Sequence, residues 1–193
     1  QYKRLIVHSD IYQDAAYLRE HGLAYCVITN GAAEDEFSHI DGSFRRRYRI
    51  PENAVMLLTV GSHTGTKGHK LAIQAFMRAA TGRAVLVIIG NTLNSAGCLP
   101  SCCKRALLAN LTGFGRKTVR LLNPPRADVV AAYHAADLFL FGSNVECSPL
   151  VLFEAMASRT PFISLACGNA AEIAEWGQSG VILPTYPWQN GMV

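Results

Sequence analysis

Short continuous apolar runs alternate with stretches in which apolar positions recur every three to four residues. The runs at 5–7, 25–28, 55–60, 84–89, 118–122, 138–141, 162–165 and 181–183 read as strands. Continuous rather than alternating apolarity predicts strands covered on both faces. The stretches at 12–20, 68–80, 102–111, 149–158 and 170–175 read as helices. In 68–80, Leu71, Ala72, Ala75, Phe76 and Ala79 fall on one helical face. Asn123-Pro124-Pro125 opens a further helix, with Val129, Val130, Tyr133 and Ala136 on one face, so Tyr133 is expected in the core. Strands alternating with helices predict an α/β fold: a doubly wound, Rossmann-like parallel sheet with helices on both faces and right-handed crossovers. Such sheets bind ligands at the carboxyl ends of their strands, which directs attention to the loops after Val60, Ile89, Leu122, Phe141 and Leu165.

At 193 residues the chain has room for one domain and part of a second. Hydrophobic residues make up 50% and charged residues 17%, which excludes a disordered chain. The longest apolar runs fall far short of the ~20 residues of a membrane span. A net charge of +4 permits an anionic ligand without calling for nucleic acid. The chain begins at Gln1 without a secretory pattern and stops at Val193 after a Pro/Gly tail, so it reads as a piece of a longer protein. Residues 32–53 are polar, with Gly42, Pro51 and four arginines, and read as a linker between the end of one domain (1–31) and a second, truncated one (54–193). Arg45, Arg46, Arg47 and Arg49 are expected to form a solvated face rather than a nucleic-acid or membrane patch.

The six cysteines are no disulfide framework in a chain with a full core. Cys98, Cys102 and Cys103 cluster, but zinc wants a fourth ligand and commonly a C-x-x-C knuckle, so they read as reduced thiols opening a helix. Reduced thiols point to the cytosol. His69, beside Lys70, is expected to be exposed, and His134 to be a surface histidine. Trp176 and Trp188 carry no motif. Gly113-Phe114-Gly115 precedes a strand, the wrong side for a dinucleotide loop.

Three loops carry candidate chemistry. Gly61-Ser62-His63-Thr64-Gly65-Thr66-Lys67-Gly68 follows a strand and opens a helix, a phosphate cradle in type. It is no Walker loop, because its glycine spacing is one short and Gly68 replaces the magnesium-binding Ser or Thr. Gly142 to Pro149 ends with Ser148 as a candidate N-cap and Pro149 at the first helical position. Glu146 precedes that helix, and Glu154 interrupts its otherwise apolar sequence, so Glu154 needs a partner or a task. In Ala166-Cys167-Gly168-Asn169, Gly168 allows close approach and Asn169 is placed to cap the next helix.

In order along the chain, these segments resemble the carboxyl-terminal, donor-binding domain of retaining GT-B glycosyltransferases of family four. Val27-Ile28-Thr29-Asn30-Gly31 resembles the junction entering that domain, and Val60-Gly61 through Lys67-Gly68 its donor loop. Leu86 to Gly90 resembles its "L-x-I-x-G" strand end, and Glu146 and Glu154 its glutamates separated by seven residues. Gly168-Asn169-Ala170-Ala171-Glu172-Ile173 resembles its "G-G-x-x-E-I" segment.

The resemblance implies a hexosyltransferase that moves a sugar, with retention, from a UDP-, GDP- or ADP-linked donor to a sugar or lipid acceptor held by an amino-terminal domain. It implies Lys67 against the donor diphosphate and Glu146 at the transferred sugar, the two catalytic candidates. It places Glu154 on the ribose, and Gly61, Ser62, His63, Cys147 and the amides of Ser148, Leu150 and Val151 around sugar and phosphate. The base would lie near Leu121, Leu122 and Asn123. No cofactor or metal is implied, nor any nucleic-acid partner. The parent is expected in the cytoplasm, at the membrane periphery where the acceptor is a lipid, and this piece alone is expected to give no turnover. Two departures stand out. Ser62 occupies the place of the family's usual arginine, with neighbouring His63 a partial cationic substitute when protonated. Cys147 and Asn169 replace glycines. Two other readings remain open: a nucleotide- or sugar-binding module without catalysis, and another doubly wound nucleotide-sugar enzyme such as an epimerase.

Overall fold

The computed structural model describes residues 4–92 and 97–184. Trp188 lies outside the described residues. The chain begins with a small parallel unit, β1 (Leu5–Val7), α1 (Gln13–Glu20) and β2 (Tyr25–Val27), whose core is Val7, Ala15 and Leu18. Two single-turn helices follow, α2 (Glu34–Phe37) and α3 (Phe44–Arg47). The rest alternates: β3 (Val55–Val60), α4 (His69–Arg78), β4 (Ala84–Ile89), α5 (Leu99–Thr112), β5 (Lys117–Leu122), α6 (Arg126–Ala135), β6 (Leu138–Phe141), α7 (Leu150–Ala157), β7 (Phe162–Leu165), α8 (Ala170–Gly177) and β8 (Gly180–Leu183).

These strands form one six-stranded sheet in the order β5-β4-β3-β6-β7-β8, every pairing parallel. Side chains alternate between its faces. Leu57, Leu86 and Ile88 pack under α4 and α5, with Phe76, Cys102 and Val119. Met56, Leu58, Val85, Val87 and Phe139 face the opposite layer, built from α2, α3, α6, α7 and α8. All six residues of β4 are buried, the physical reason for its unbroken apolar run. Tyr133 is wholly buried in the larger core, its ring tilted against Phe139 at 5.3 Å between centroids.

Three side chains of the stretch read as a linker enter that larger core. Phe37, Phe44 and Ile50 are buried in it, which pins α2 and α3 to the sheet layer. Arg46, Arg47 and Arg49 are exposed, as expected of a solvated face, while Arg45 is half-buried. Arg45 donates to the carbonyls of Ala135 and Ala54 and pairs with Asp137, closing chain ends that the sheet leaves open. Arg47 pairs with Asp128 and Asp41.

The strand order places the switch point between β3 and β6. From β3 the chain winds outward through β4 to β5, and from β6 it winds the other way through β7 to β8. The loops leaving β3 and β6 therefore part in opposite directions and open a crevice between them.

Candidate active site

The two loops at the switch point meet through glycine. Gly68 has φ +71°, and a Cβ there would lie 1.8 Å from the Gly142 carbonyl oxygen. Only glycine allows both the left-handed conformation and the backbone approach. Asn144 N donates to the Thr66 carbonyl at 2.9 Å, a second tie between the loops.

This approach brings Lys67 and Glu146 together. Lys67 Nζ lies 2.5 Å from Glu146 Oε1, with the side chains 29% and 14% exposed. Ser143 Oγ, buried, donates to the same oxygen at 2.7 Å and fixes the carboxylate from below. Beside the pair lies a cleft of about 410 Å³, lined by Glu146, Tyr12, Gln13, Val145, Cys167 and Gly168 among others. Gly168 has φ +58°, and a Cβ there would meet the Cys147 carbonyl at 2.5 Å. Asn169 N donates to that carbonyl at 2.9 Å, so the loops after β6 and β7 are also joined. Burial, then the nearby Glu146 carboxylate, pushes the Cys167 thiol up. Burial raises Cys147 as well, so neither supplies a thiolate nucleophile at neutral pH.

The amino-terminal unit forms the far wall. Ser9 Oγ donates to Glu172 Oε2 at 2.6 Å, and Asn30 Nδ2 donates to the Ser148 carbonyl at 3.1 Å. Tyr12 and Gln13 thereby reach the same cleft as Glu146.

Helix α7 starts at Leu150, and the first amides of a helix have no partner within it, so those of Leu150 and Val151 are left without a partner inside the helix. Ser148 does not cap this helix. Pro149 holds the N-cap position, and Ser148 Oγ is buried without a hydrogen-bond partner. Asn169 precedes α8 but makes no side-chain cap, and both its side-chain polar atoms are buried and unpaired. Ser62 is half-buried beside Gly61, and Asn123 is exposed past the end of β5.

Glu154 is not among the residues lining the cleft with Glu146. Its carboxylate pairs with Arg126 at 2.7 Å, the first residue of α6. Arg126 also holds Glu36 through two nitrogens at 3.0 and 2.7 Å. Arg126 is thus the partner that an acid in an apolar helix requires. The sequence carried no signal for it beyond an arginine at a helix start.

His63 does not substitute for the missing arginine. It is 2% exposed, and burial lowers its pKa, which keeps the imidazole neutral. Its ring packs against His69, which is likewise buried rather than exposed, with a pKa lowered to about 4 by burial first and by His63 and Lys67 after it. The cationic charge facing the crevice from the donor-type loop is Lys67.

Comparison with known proteins fits this geometry. The family model for glycosyl transferases group 1 matches residues 41–190. A D-inositol 3-phosphate glycosyltransferase of Corynebacterium aurimucosum is 31% identical over 172 residues, covering 85% of this chain and 40% of that protein. One of Geodermatophilus obscurus is 30% identical over 166 residues, covering 81% and 36%. The chain therefore spans about two fifths of the length of the curated relatives it matches. Among solved structures, sucrose-phosphate synthase from Thermosynechococcus elongatus superposes with a TM-score of 0.72 at 25% identity, covering 95% of this chain and 46% of that one. Anabaena HepE in complex with UDP-glucose gives 0.74 at 19% identity, covering 94% and 50%, a likeness of fold. Both neighbours have the GT-B architecture.

Proposed function

Because the chain belongs to the glycosyl transferases group 1 family, we propose that its crevice binds a nucleotide sugar and supports transfer of the sugar, with retention, to an acceptor hydroxyl. The observation that carries this reading is the Lys67–Glu146 pair, held at 2.5 Å over the switch point by the Gly68–Gly142 approach.

In the reaction the bond between the sugar anomeric carbon and the diphosphate oxygen breaks. Negative charge collects on the diphosphate and oxocarbenium character on the sugar. Lys67 and the first amides of α7 are donors aimed at the developing anion, fixed before the reaction begins, which is where electrostatic catalysis is strongest. The acceptor oxygen bonds to the anomeric carbon on the face the diphosphate leaves. Its proton passes to a diphosphate oxygen, so atoms and charge balance and configuration is kept. Glu146 accepts hydrogen bonds from the sugar hydroxyls, and Glu154, already ordered by Arg126, accepts them from the ribose. The acceptor approaches from the side of Tyr12 and Gln13.

UDP-glucose in the HepE complex is that protein's ligand. For this chain a uridine donor is the reading favoured over guanosine or adenosine. The test is calorimetry with UDP, GDP and ADP beside Lys67→Ala and Glu154→Ala. Expected is saturable binding of UDP in preference to the others, weakened about 10- to 100-fold by Lys67→Ala, the worth of a hydrogen bond to a charged group. Binding unaffected by Lys67→Ala would place the nucleotide elsewhere.

A further inference from the structure

Beneath the loop that carries Lys67, four buried residues from two neighbouring strand-end segments converge. We propose that His63, His69, Cys98 and Cys102 bind a single zinc ion as a structural site. All four are buried, at 2%, 1%, 6% and 0% exposure, and their ligand atoms all lie within 4.8 Å of one another. His63 Nδ1 and His69 Nδ1 are 3.2 Å apart, Cys98 Sγ is 3.5 and 4.0 Å from them, and the two sulfurs are 3.6 Å apart. A tetrahedron with Zn–S bonds of ~2.3 Å and Zn–N bonds of ~2.05 Å has edges of about 3.3 Å between nitrogens, 3.6 Å between nitrogen and sulfur, and 3.8 Å between sulfurs. The four distances above fall within about 0.4 Å of those edges, and all the ligand atoms lie within 4.8 Å of one another. Two sulfurs and two imidazole nitrogens in tetrahedral array are a zinc-type donor set, and four protein donors leave no open position, which makes the site structural rather than catalytic.

The backbone builds the array from two loops. Cys98 stands at the N-cap of α5 and Cys102 one turn later, so both sulfurs share a helix face. Cys98 N donates to the His63 carbonyl at 2.8 Å. Gly97, at φ +47°, lets the chain pass where a Cβ would lie 1.7 Å from that carbonyl. His69 is the first residue of α4, directly after Gly68. Cys103 is exposed and outside the set. His69 Nε2 is buried without a partner, so the ion binds without the supporting hydrogen bond that usually orients a ligating imidazole. Histidines at 63 and 69 bracket Lys67, and the ion would tie this loop to α5. The metal site stands independently of the glycosyl-transfer reading.

The test is elemental analysis and native mass spectrometry of the chain produced with zinc in the medium, and of chain stripped under denaturant and refolded with zinc or cobalt(II). Expected is about one zinc per chain, a higher thermal midpoint for the zinc-refolded form, and visible absorption of tetrahedral thiolate cobalt(II). His63→Ala and Cys102→Ala should each reduce bound metal at least about tenfold, while Cys103→Ser keeps it. Wild type decides the matter even where a ligand variant misfolds. Folded wild-type chain that is metal-free and takes up neither zinc nor cobalt on refolding would overturn the proposal. So would a mass two hydrogens low, showing a Cys98–Cys102 disulfide, or full zinc content in both ligand variants.

Discussion

Lys67 Nζ and Glu146 Oε1 lie 2.5 Å apart across 79 positions of sequence, joining the loops that leave the two central strands. On the proposed reading the carboxylate occupies the ammonium that a diphosphate would need, so an arriving donor would displace it. Once displaced, Glu146 would be free for the sugar hydroxyls, which would make donor binding and carboxylate placement a single exchange. Glu146→Gln removes the competitor and a like charge. We expect UDP to bind about 2- to 5-fold more tightly to that variant, since a partly exposed ion pair is worth up to about 1 kcal/mol. Transfer in a longer chain carrying the acceptor domain should fall. Titration calorimetry reads the first effect, and weaker binding by Glu146→Gln would show that the carboxylate helps to hold the nucleotide.

Gly68 is the backbone device behind that pair. Alanine there meets both a left-handed φ of +71° and the Gly142 carbonyl at 1.8 Å. The contact is backbone on backbone, so a rotamer change cannot relieve it. Gly68→Ala should cost about 2–4 kcal/mol of folding stability, the combined scale of backbone strain and overpacking. It should also weaken UDP binding in the fraction that remains folded, because Lys67 moves with its neighbour. Urea denaturation against Gly65→Ala is the comparison. Gly65 shares a positive φ of +97°, but its Cβ would meet nothing within 4 Å, so the excess loss at Gly68 measures the clash.

Much of this was legible in the sequence. Strand β4 announces itself because both its faces are buried, and the residues that bracket the switch point follow from reading loops at strand ends. Single-turn helices α2 and α3 do not announce themselves. Four residues are too few for a period, and Phe37, Phe44 and Ile50 reach the core at irregular spacing. The pairing of Arg126 with Glu154 is equally hidden, since it joins two helices through a tertiary contact. The same holds for the histidine–cysteine cluster. Cys98 and Cys102 look two ligands short until folding brings in His63 from 35 positions away. The signal to look for was a second incomplete pair, His63 and His69, in the loop of a neighbouring strand.

Arg126 bridges Glu36 and Glu154, so its removal strands a carboxylate that is only 13% exposed in an apolar helix. Because the arginine itself is 46% exposed, the loss is discounted from the fully buried case to about 1–2 kcal/mol for Arg126→Ala. In that background Glu154→Gln should recover part of the loss, a coupling that a double-mutant cycle by urea denaturation reads. Additive losses would mean that the two side chains do not interact in solution.

The same arginine sets an acid limit. Its hydrogen bond holds the Glu36 carboxyl below its ordinary 4.5. A carboxyl with a lowered folded-state pKa binds protons more readily unfolded. Its contribution is therefore complete above pH 4.5 and is lost as pH falls through the lower folded value. Thermal midpoints of wild type and Arg126→Ala should converge as pH drops below that range. A gap that stays constant to the lowest pH would remove Glu36 from the account.

Ser62 is the last test of where the diphosphate sits. It is half-buried next to Gly61 in the loop that carries Lys67, and neighbouring His63 is buried and held neutral. Arginine at position 62 would add a permanent cation with a planar fork suited to phosphate oxygens. We expect Ser62→Arg to tighten UDP binding about 10- to 100-fold, on the scale of one hydrogen bond to a charged group. The gain should shrink as ionic strength rises from ~0.01 to ~0.15 M, because screening contracts from about 30 to 8 Å. A gain insensitive to salt would come from loop packing rather than charge. An unchanged affinity would mean that position 62 does not face the diphosphate, which would leave Lys67 and the α7 amides as the whole of its binding site.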